Sequence, residues 1–161
     1  MSRGLLVLVS FVMLAATAAA DDMRLSLGYA YLHYLEEGGG NTPAGAFLSF
    51  AGGGATTLEL DAGYHRKSDG ATLNTFTVTA GPRFAFAGRR ETAPFIHVLG
   101  GLRHDRIAGS SNTAWGGMAG AGIDVMTSGG GVALRLGADF QIFFHEGENV
   151  KTLRLGVGLT F

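Results

Sequence analysis

The 161-residue sequence predicts an all-β fold, an eight-stranded antiparallel up-and-down transmembrane β-barrel preceded by a cleaved signal peptide. Two observations predict the strands. After residue 20, apolar residues recur at every second position in eight successive segments, which is the period of a β-strand. The chain is also 47% hydrophobic and only 16% charged, yet it has no later apolar run of the ~20 residues that a membrane helix needs.

The first element, residues 1–20, has the composition of a secretory signal peptide. Arg3 precedes the apolar run 5–16, and the small residues 18–20 provide an A-x-A cleavage site. Residues 21–161 then form a single barrel domain. The chain has no cysteine, so no disulfide framework is expected, and its formal net charge of −1 gives no reason to expect a nucleic-acid partner.

The strands follow in order along residues 21–161. In the first, Leu25, Leu27 and Tyr29 alternate with small or polar residues, and the later strands repeat this pattern. Alternation of this kind means that one face of each strand is apolar and the other polar. Six segments alternate clearly, at 25–35, 56–65, 75–86, 115–125, 132–142 and 152–161, and two do so more weakly, at 44–51 and 94–103.

The connections between these strands predict a meander of hairpins. Short and longer connections alternate, so that all the short ones are expected at one rim of the barrel. Both ends of the domain fall at that same rim, which is the periplasmic one in outer-membrane barrels. The short connections are 52–54, 87–92 and 127–130, and the longer ones are 36–43, 66–73, 104–112 and 145–150.

The distribution of charge between the two faces indicates which face meets lipid. A soluble barrel of lipocalin type packs apolar residues inside and exposes its charges, but here the charge-free face is aromatic and aliphatic throughout. The charges are therefore expected in the interior. The predicted lumen charge network is Arg24, Glu59, Asp61, His65, Arg83, Arg103, Asp124, Arg135, Asp139 and Arg154.

This network is expected to fill the barrel. The interior of an eight-stranded barrel is just wide enough to be packed with side chains, and buried charges are tolerated when they pair. Five arginines and four carboxylates make such pairing feasible, and inward glycines provide room for long side chains. Aromatic residues near strand ends are expected to form interfacial girdles: Tyr29, Tyr31, Tyr34, Tyr64, Phe86, Trp115 and Phe144.

The last strand, 153–161, alternates apolar residues and closes on Phe161. With the segments 80–84 and 120–125, it resembles the small eight-stranded outer-membrane β-barrel family of OmpA/OmpX type, the porin-like barrel domains. The resemblance implies location in a Gram-negative outer membrane and insertion by the barrel-assembly machinery. It also implies an assembly signal, formed by Leu153, Leu155, Val157, Leu159 and Phe161.

The expected function is envelope-structural or surface-contact, without enzymatic activity, catalytic residues, cofactor or metal. Outer-membrane lipid and lipopolysaccharide are the expected partners, beside the assembly machinery, and the barrel is expected to be a monomer. The first alternative is a narrow pore for ions or very small solutes, gated by the lumen charges. A soluble periplasmic barrel of lipocalin type is a further alternative.

The histidines raise a third alternative, a lipid-modifying enzyme. Hydrolysis would require a serine activated by a histidine, and no serine lies within two residues of any histidine. Ser68, Ser110 or Ser111 would have to meet a loop histidine in space. A metal site on the loop rim is also conceivable, although its residues lack a ligand spacing; those residues are His65, His104, Asp105, His145 and Glu146. Rim histidines exposed to solvent are the expected arrangement.

Overall fold

The structure is a computed structural model that describes residues 23–35, 42–52, 54–69, 71–86, 91–127 and 131–161. Eight antiparallel strands pair in chain order, and the first also pairs with the last, so the sheet is a closed barrel. The predicted fold class is therefore confirmed. The strands are β1 (Met23–Tyr34), β2 (Ala44–Gly52), β3 (Thr56–Asp69), β4 (Ala71–Ala85), β5 (Thr92–Ile107), β6 (Ser110–Met126), β7 (Ala133–His145) and β8 (Glu148–Thr160).

Residues 1–20, the expected signal peptide, lie outside these described ranges. Within the ranges, no helix has the length and apolar character needed to cross a membrane.

The barrel has its apolar residues outside and its polar residues inside. Leu27, Val98 and Trp115 are 53%, 57% and 67% exposed on the outer wall, whereas Arg83 and Asp124 are buried in the interior. The strands β2 and β5 correspond to the two weaker segments of the sequence. An exterior that is mostly aliphatic and aromatic is stable only against lipid or another apolar surface.

The seam between β1 and β8 closes the barrel. Its ladder runs from the pair Ser26–Thr160 to the pair Tyr34–Thr152. At the end of the seam where β1 begins, the amide of Phe161 donates to the carbonyl of Leu25 at 2.8 Å, and the amide of Leu25 donates to the carbonyl of Phe161 at 3.1 Å. Closure pairs the backbone groups that an open sheet would leave at its edges, as a lipid environment requires.

The predicted longer connections are mostly strand, and this part of the prediction was wrong. The β3–β4 ladder continues to the pair Asp69–Ala71, and the β5–β6 and β7–β8 ladders continue to tight turns. In these two turns, Ala108–Gly109 and Glu146–Gly147, both residues have positive φ, as the favoured two-residue hairpin requires. Past the lipid, both faces of a strand meet water, so the alternation that marks a strand disappears. Most of the fourth connection, 36–43, lies outside the described residues.

We call the rim where β1 begins and β8 ends the near rim, and the opposite rim the far rim. The central strands β3 to β6 have 14 to 17 residues, compared with 9 in β2 and 12 in β1. The additional residues lie at the far rim, where these four strands extend beyond their neighbours.

Candidate functional site

The interior contains a continuous series of ion pairs, and its first part joins β4, β6 and β7. Arg83 Nη2 donates to Asp124 Oδ2 at 2.9 Å. Arg135 holds the same carboxylate with two groups, Nε to Oδ1 at 2.8 Å and Nη2 to Oδ2 at 3.1 Å. Arg135 Nη1 also donates to Ser49 Oγ at 2.9 Å. One carboxylate therefore connects two arginines.

The middle part crosses the barrel through a histidine of β5. Arg135 Nη1 lies 3.5 Å from Glu59 Oε1. The other oxygen of Glu59 is 2.8 Å from Nδ1 of His97, and Nε2 of His97 is 2.7 Å from Asp139 Oδ1. His97 thus links a carboxylate of β3 to a carboxylate of β7.

The last part ends at β3. Arg154 Nε donates to Asp139 Oδ2 at 2.6 Å, and its Nη1 and Nη2 donate to the two oxygens of Asp61 at 2.7 and 3.3 Å. All members of the series are at most 5% exposed. We call it the ion-pair chain; in order, its members are Arg83, Asp124, Arg135, Glu59, His97, Asp139, Arg154 and Asp61.

The ion-pair chain is electrically neutral when His97 carries two ring protons. Three guanidinium groups face four carboxylates, so one further positive charge is needed for balance. An ionised carboxylate only accepts hydrogen bonds, and both ring nitrogens of His97 face one. When all four carboxylates are ionised, both nitrogens donate, which makes the ring an imidazolium and brings the net charge of the ion-pair chain to zero.

Aromatic rings fill the space beside these charges. The guanidinium carbons of Arg83 and Arg135 lie 4.0 and 4.8 Å from the ring centre of Phe95, within cation–π range. A Cβ at Gly122 would collide with that ring, so the glycine is what admits it. The cavity along the ion-pair chain measures about 20 Å³, which is room for about one water molecule.

A second polar group lies nearer the far rim. Arg103 Nε donates to Asp105 Oδ2 at 2.7 Å, and its Nη2 contacts the hydroxyl of Tyr34. Thr75 Oγ1 donates to Asp105 Oδ1 at 2.5 Å. Tyr34 therefore points into the barrel, and its expected place in an outer girdle was wrong.

The structure places the ten predicted lumen residues at four kinds of position. Seven are in the ion-pair chain, and Arg103 is in the far-rim group. His65 is fully buried, but neither ring nitrogen has a hydrogen-bond partner within the described part of the chain. Arg24 is half-buried near the near rim and is outside the ion-pair chain.

Two charged members of these groups, His97 and Asp105, are absent from the predicted lumen charge network. Alternation had already placed His97 on the inward face of its strand, between Phe95 and Leu99, so the signal was present. The expectation that the loop-rim histidines are exposed was wrong for His65, which is 0% exposed inside the barrel, where the predicted lumen network also placed it.

The histidine contacts bear on the enzyme and metal alternatives. His104 Nδ1 is 2.8 Å from Thr113 Oγ1, and His145 Nδ1 is 3.0 Å from the Thr113 carbonyl oxygen. Serine is not among the hydrogen-bond partners of histidine in the ranges described. Across those same ranges, no group of three or more histidines, aspartates or glutamates is arranged to hold a metal ion.

The residues of the expected assembly signal lie along the outer wall of β8. Leu155, Val157, Leu159 and Phe161 are 44% to 53% exposed, and Leu153 is half-buried. Their exposure gives β8 an apolar outer face, and a role in assembly stays a prediction.

Comparison with known proteins finds solved structures that share this architecture. No family model and no curated protein matches the sequence. Among solved structures, Neisserial surface protein A is similar with a TM-score of 0.72 and 13% identity, over 86% of this chain and 95% of that one. The N-terminal β-barrel domain of OprF from Pseudomonas aeruginosa has a TM-score of 0.57 and 17% identity, over 86% of this chain and 97% of that one. Ail, the attachment invasion locus protein of Yersinia pestis, has a TM-score of 0.53 and 19% identity, over 87% of this chain and 98% of that one.

These similarities establish the fold as that of the small eight-stranded outer-membrane barrels. The apolar outer wall, the polar interior and the closed seam are the features that such a fold needs in lipid. Fold and surface together indicate a location in the bacterial outer membrane.

Proposed function

We propose that this chain is an integral outer-membrane protein whose lumen is closed by its own side chains, with an envelope-structural or surface-contact role. The observation that carries the proposal is the ion-pair chain, which joins β3 to β8 across the interior beside a cavity of about 20 Å³. A barrel filled in this way by its described side chains would present a continuous wall to lipid and would leave no ion-sized path past the ion-pair chain.

The energetics of buried charge favour closure over conduction. Removing one partner of a buried ion pair costs about 3–5 kcal/mol, because the other charge is left without compensation. An ion crossing the barrel would have to separate several such pairs in turn, since each carboxylate of the chain is held by two groups or by a bidentate arginine. We therefore rank a narrow pore second.

The same proposal covers the partners. The apolar wall would contact outer-membrane lipid and lipopolysaccharide, and the outer face of β8 would be presented to the barrel-assembly machinery during insertion. The barrel would act as a monomer, since its interior is completed by its own strands. Because no serine is hydrogen-bonded to a histidine among the described contacts, we propose no enzymatic activity. The near balance of positive and negative charge gives no reason to propose a nucleic-acid partner.

Conductance in planar bilayers tests the proposal. Residues 21–161 would be refolded in detergent, checked for heat-modifiable migration on a gel, and reconstituted as wild type, Arg135→Ala and Arg106→Ala. Arg106 is exposed on the outer wall, so its variant removes the same charge without touching the ion-pair chain. We expect no discrete openings from the wild type or from Arg106→Ala.

Discrete wild-type openings that change in Arg135→Ala and persist in Arg106→Ala would contradict closure and establish the pore. Release of acyl chains from lipopolysaccharide by the wild type would contradict the non-enzymatic part of the proposal.

A further inference from the structure

Four outward-facing residues lie in one row across β3 to β6, near the far rim. The ladders pair Arg66 with Asn74, Asn74 with Arg106, and Arg106 with Ser111. Arg66, Arg106 and Ser111 are exposed, and Asn74 is half-buried. We call these four residues the arginine row. At one end of the row Arg66 pairs with Ala44, the first residue of β2, and at the other end Ser111 lies beyond the end of β7.

From the arginine row towards the barrel centre, the outward side chains change from cationic to apolar within two rows. The next row towards the barrel centre contains Tyr64 and Phe76, each 48% exposed, followed on β5 and β6 by His104 and Thr113. The row after that is apolar, and it includes Trp115, which is 67% exposed. Aliphatic, then aromatic, then cationic side chains are the order expected from lipid tails to headgroups. The complete apolar row is Ala62, Val78, Leu102 and Trp115.

The arginine row is arranged to offer hydrogen-bond donors outward. Neighbouring strands lie ~4.8 Å apart, so Arg66 and Arg106 are roughly 10 Å apart with Asn74 between them. The hydroxyl of Tyr64 donates to Asn74 Oδ1 at 2.9 Å, which leaves the Asn74 amide its N–H groups to offer. Arg66 Nε donates to Ser68 Oγ at 3.1 Å, which leaves both Nη groups of that guanidinium as donors.

Among the described side chains, none supplies the negative charge that would balance these arginines. Among the described side chains, neither Arg66 nor Arg106 is in an ion pair, and the outward positions of β3 to β6 in this region contain no aspartate or glutamate. Asp105 is the neighbouring carboxylate in sequence, but it points inward and is held by Arg103 and Thr75. The described part of the arginine row therefore leaves two guanidinium groups open to an anionic ligand.

We propose that Arg66, Asn74 and Arg106 bind the phosphate of a lipid headgroup in the leaflet at the far rim, which is the outer leaflet if the near rim is periplasmic. This inference rests on the proposed function, because it requires the barrel to be inserted in a membrane. The planar guanidinium suits phosphate oxygens with two parallel hydrogen bonds, and the arginine row lies directly above the aromatic row, at headgroup depth. A bound lipid would extend its acyl chains down the apolar wall past Trp115.

The only tryptophan of the chain provides the measurement. Trp115 lies four residues from Ser111 along β6, roughly 13 Å below the arginine row at about 3.3 Å per residue. The refolded full barrel would be placed in phosphatidylcholine vesicles that contain equal fractions of either dibrominated phosphatidic acid or dibrominated phosphatidylcholine. Bromine on the acyl chains quenches tryptophan fluorescence at contact, so the ratio of quenching reports which lipid occupies this wall.

We expect dibrominated phosphatidic acid to associate with the Trp115 site on the order of 5-fold more strongly than dibrominated phosphatidylcholine does. This is the preference for anionic lipid that a single arginine near a membrane surface gives. The double variant Arg66→Gln/Arg106→Gln should lower this ratio to about 1. The control Arg24→Gln removes a positive charge near the opposite rim and should leave the ratio unchanged.

Equal quenching of the wild type by both lipids would overturn the site while leaving membrane insertion intact. A preference that survives in the double variant, or is lost equally in Arg24→Gln, would overturn it as well. No quenching by either lipid would show that Trp115 does not face lipid, and both this inference and the proposed function would fail.

Discussion

The arginines of this barrel occupy two contrasting regions. Those of the ion-pair chain, such as Arg135 and Arg154, are buried, and each is held by two carboxylates at hydrogen-bond or ion-pair distance. Arg66 and Arg106 are exposed on the outer wall and are in no ion pair among the described side chains. The contrast shows that position, rather than residue type, decides whether a charge must be neutralised within the protein.

The physical reason is the access of each region to solvent. An ion in the interior has lost its hydration, and only a partner carboxylate can replace that stabilisation. An ion at the membrane surface keeps water and can exchange it for a headgroup. If this account is correct, equivalent arginine substitutions in the two regions should have very different effects, and the following predictions run from the largest effect to the smallest.

Arg154→Met should lower the free energy of unfolding the most. It leaves Asp61 and Asp139 buried without this partner, so we expect a loss of about 3–5 kcal/mol in the free energy of unfolding, measured by urea titration in vesicles. Arg154→Met combined with Asp61→Asn should recover part of the loss, because one uncompensated charge is removed. A loss below ~1 kcal/mol in the single variant would contradict a connected interior.

His97→Gln should have the next largest effect. Glutamine has no positive charge, so Glu59 and Asp139 lose the cation that joins them, and we expect a loss of about 2–3 kcal/mol in the same titration. His104→Gln is the matched control, since His104 lies on the outer wall. Equal losses in the two variants would argue against a bridging role for His97.

Gly122→Ala tests the filling of the interior rather than its charge. The added methyl group would collide with the ring of Phe95, on which Arg83 and Arg135 stack, so we expect a loss of about 1–3 kcal/mol. Gly137 is its partner across the ladder, and a Cβ there has its nearest contact at 3.8 Å. Gly137→Ala should therefore be nearly neutral, and similar losses at both positions would contradict this explanation.

Arg106→Met should have the smallest effect on stability. No described carboxylate depends on this arginine, so the free energy of unfolding should change by no more than ~0.5 kcal/mol. A loss comparable to that of Arg154→Met would remove the distinction between the two regions.

Much of the architecture could be predicted from the sequence because lipid imposes a strict alternation on each strand. The segment 94–103 illustrates this, since Ile96 and Val98 face outward and Phe95 and His97 inward, as the pattern indicates. Beyond the lipid the constraint disappears. Around His104, Asp105 and Arg106 both faces are polar, so the pattern indicates a loop where the structure has the end of β5.

The pairing within the interior could not be predicted in the same way. The balance of charge indicated that ions would pair, but not which ones. His97 on β5 joins Glu59 on β3 to Asp139 on β7, and Arg154 on β8 reaches Asp61 on β3. Such contacts depend on barrel closure and on the reach of each side chain, and neither is encoded by the pattern along a single strand.

The central claim is that the interior is one connected and neutral chain of ion pairs, and the protonation of His97 tests it most directly. Nitrogen-15 NMR of the refolded barrel at neutral pH, with His97→Gln to assign the signal, would show whether each ring nitrogen carries a proton. We predict that both nitrogens are protonated, because both donate to carboxylates. A neutral ring with one unprotonated nitrogen would contradict the claim, since His97 would then form no ion pair with Glu59 or Asp139 and the ion-pair chain would be interrupted between β3 and β7.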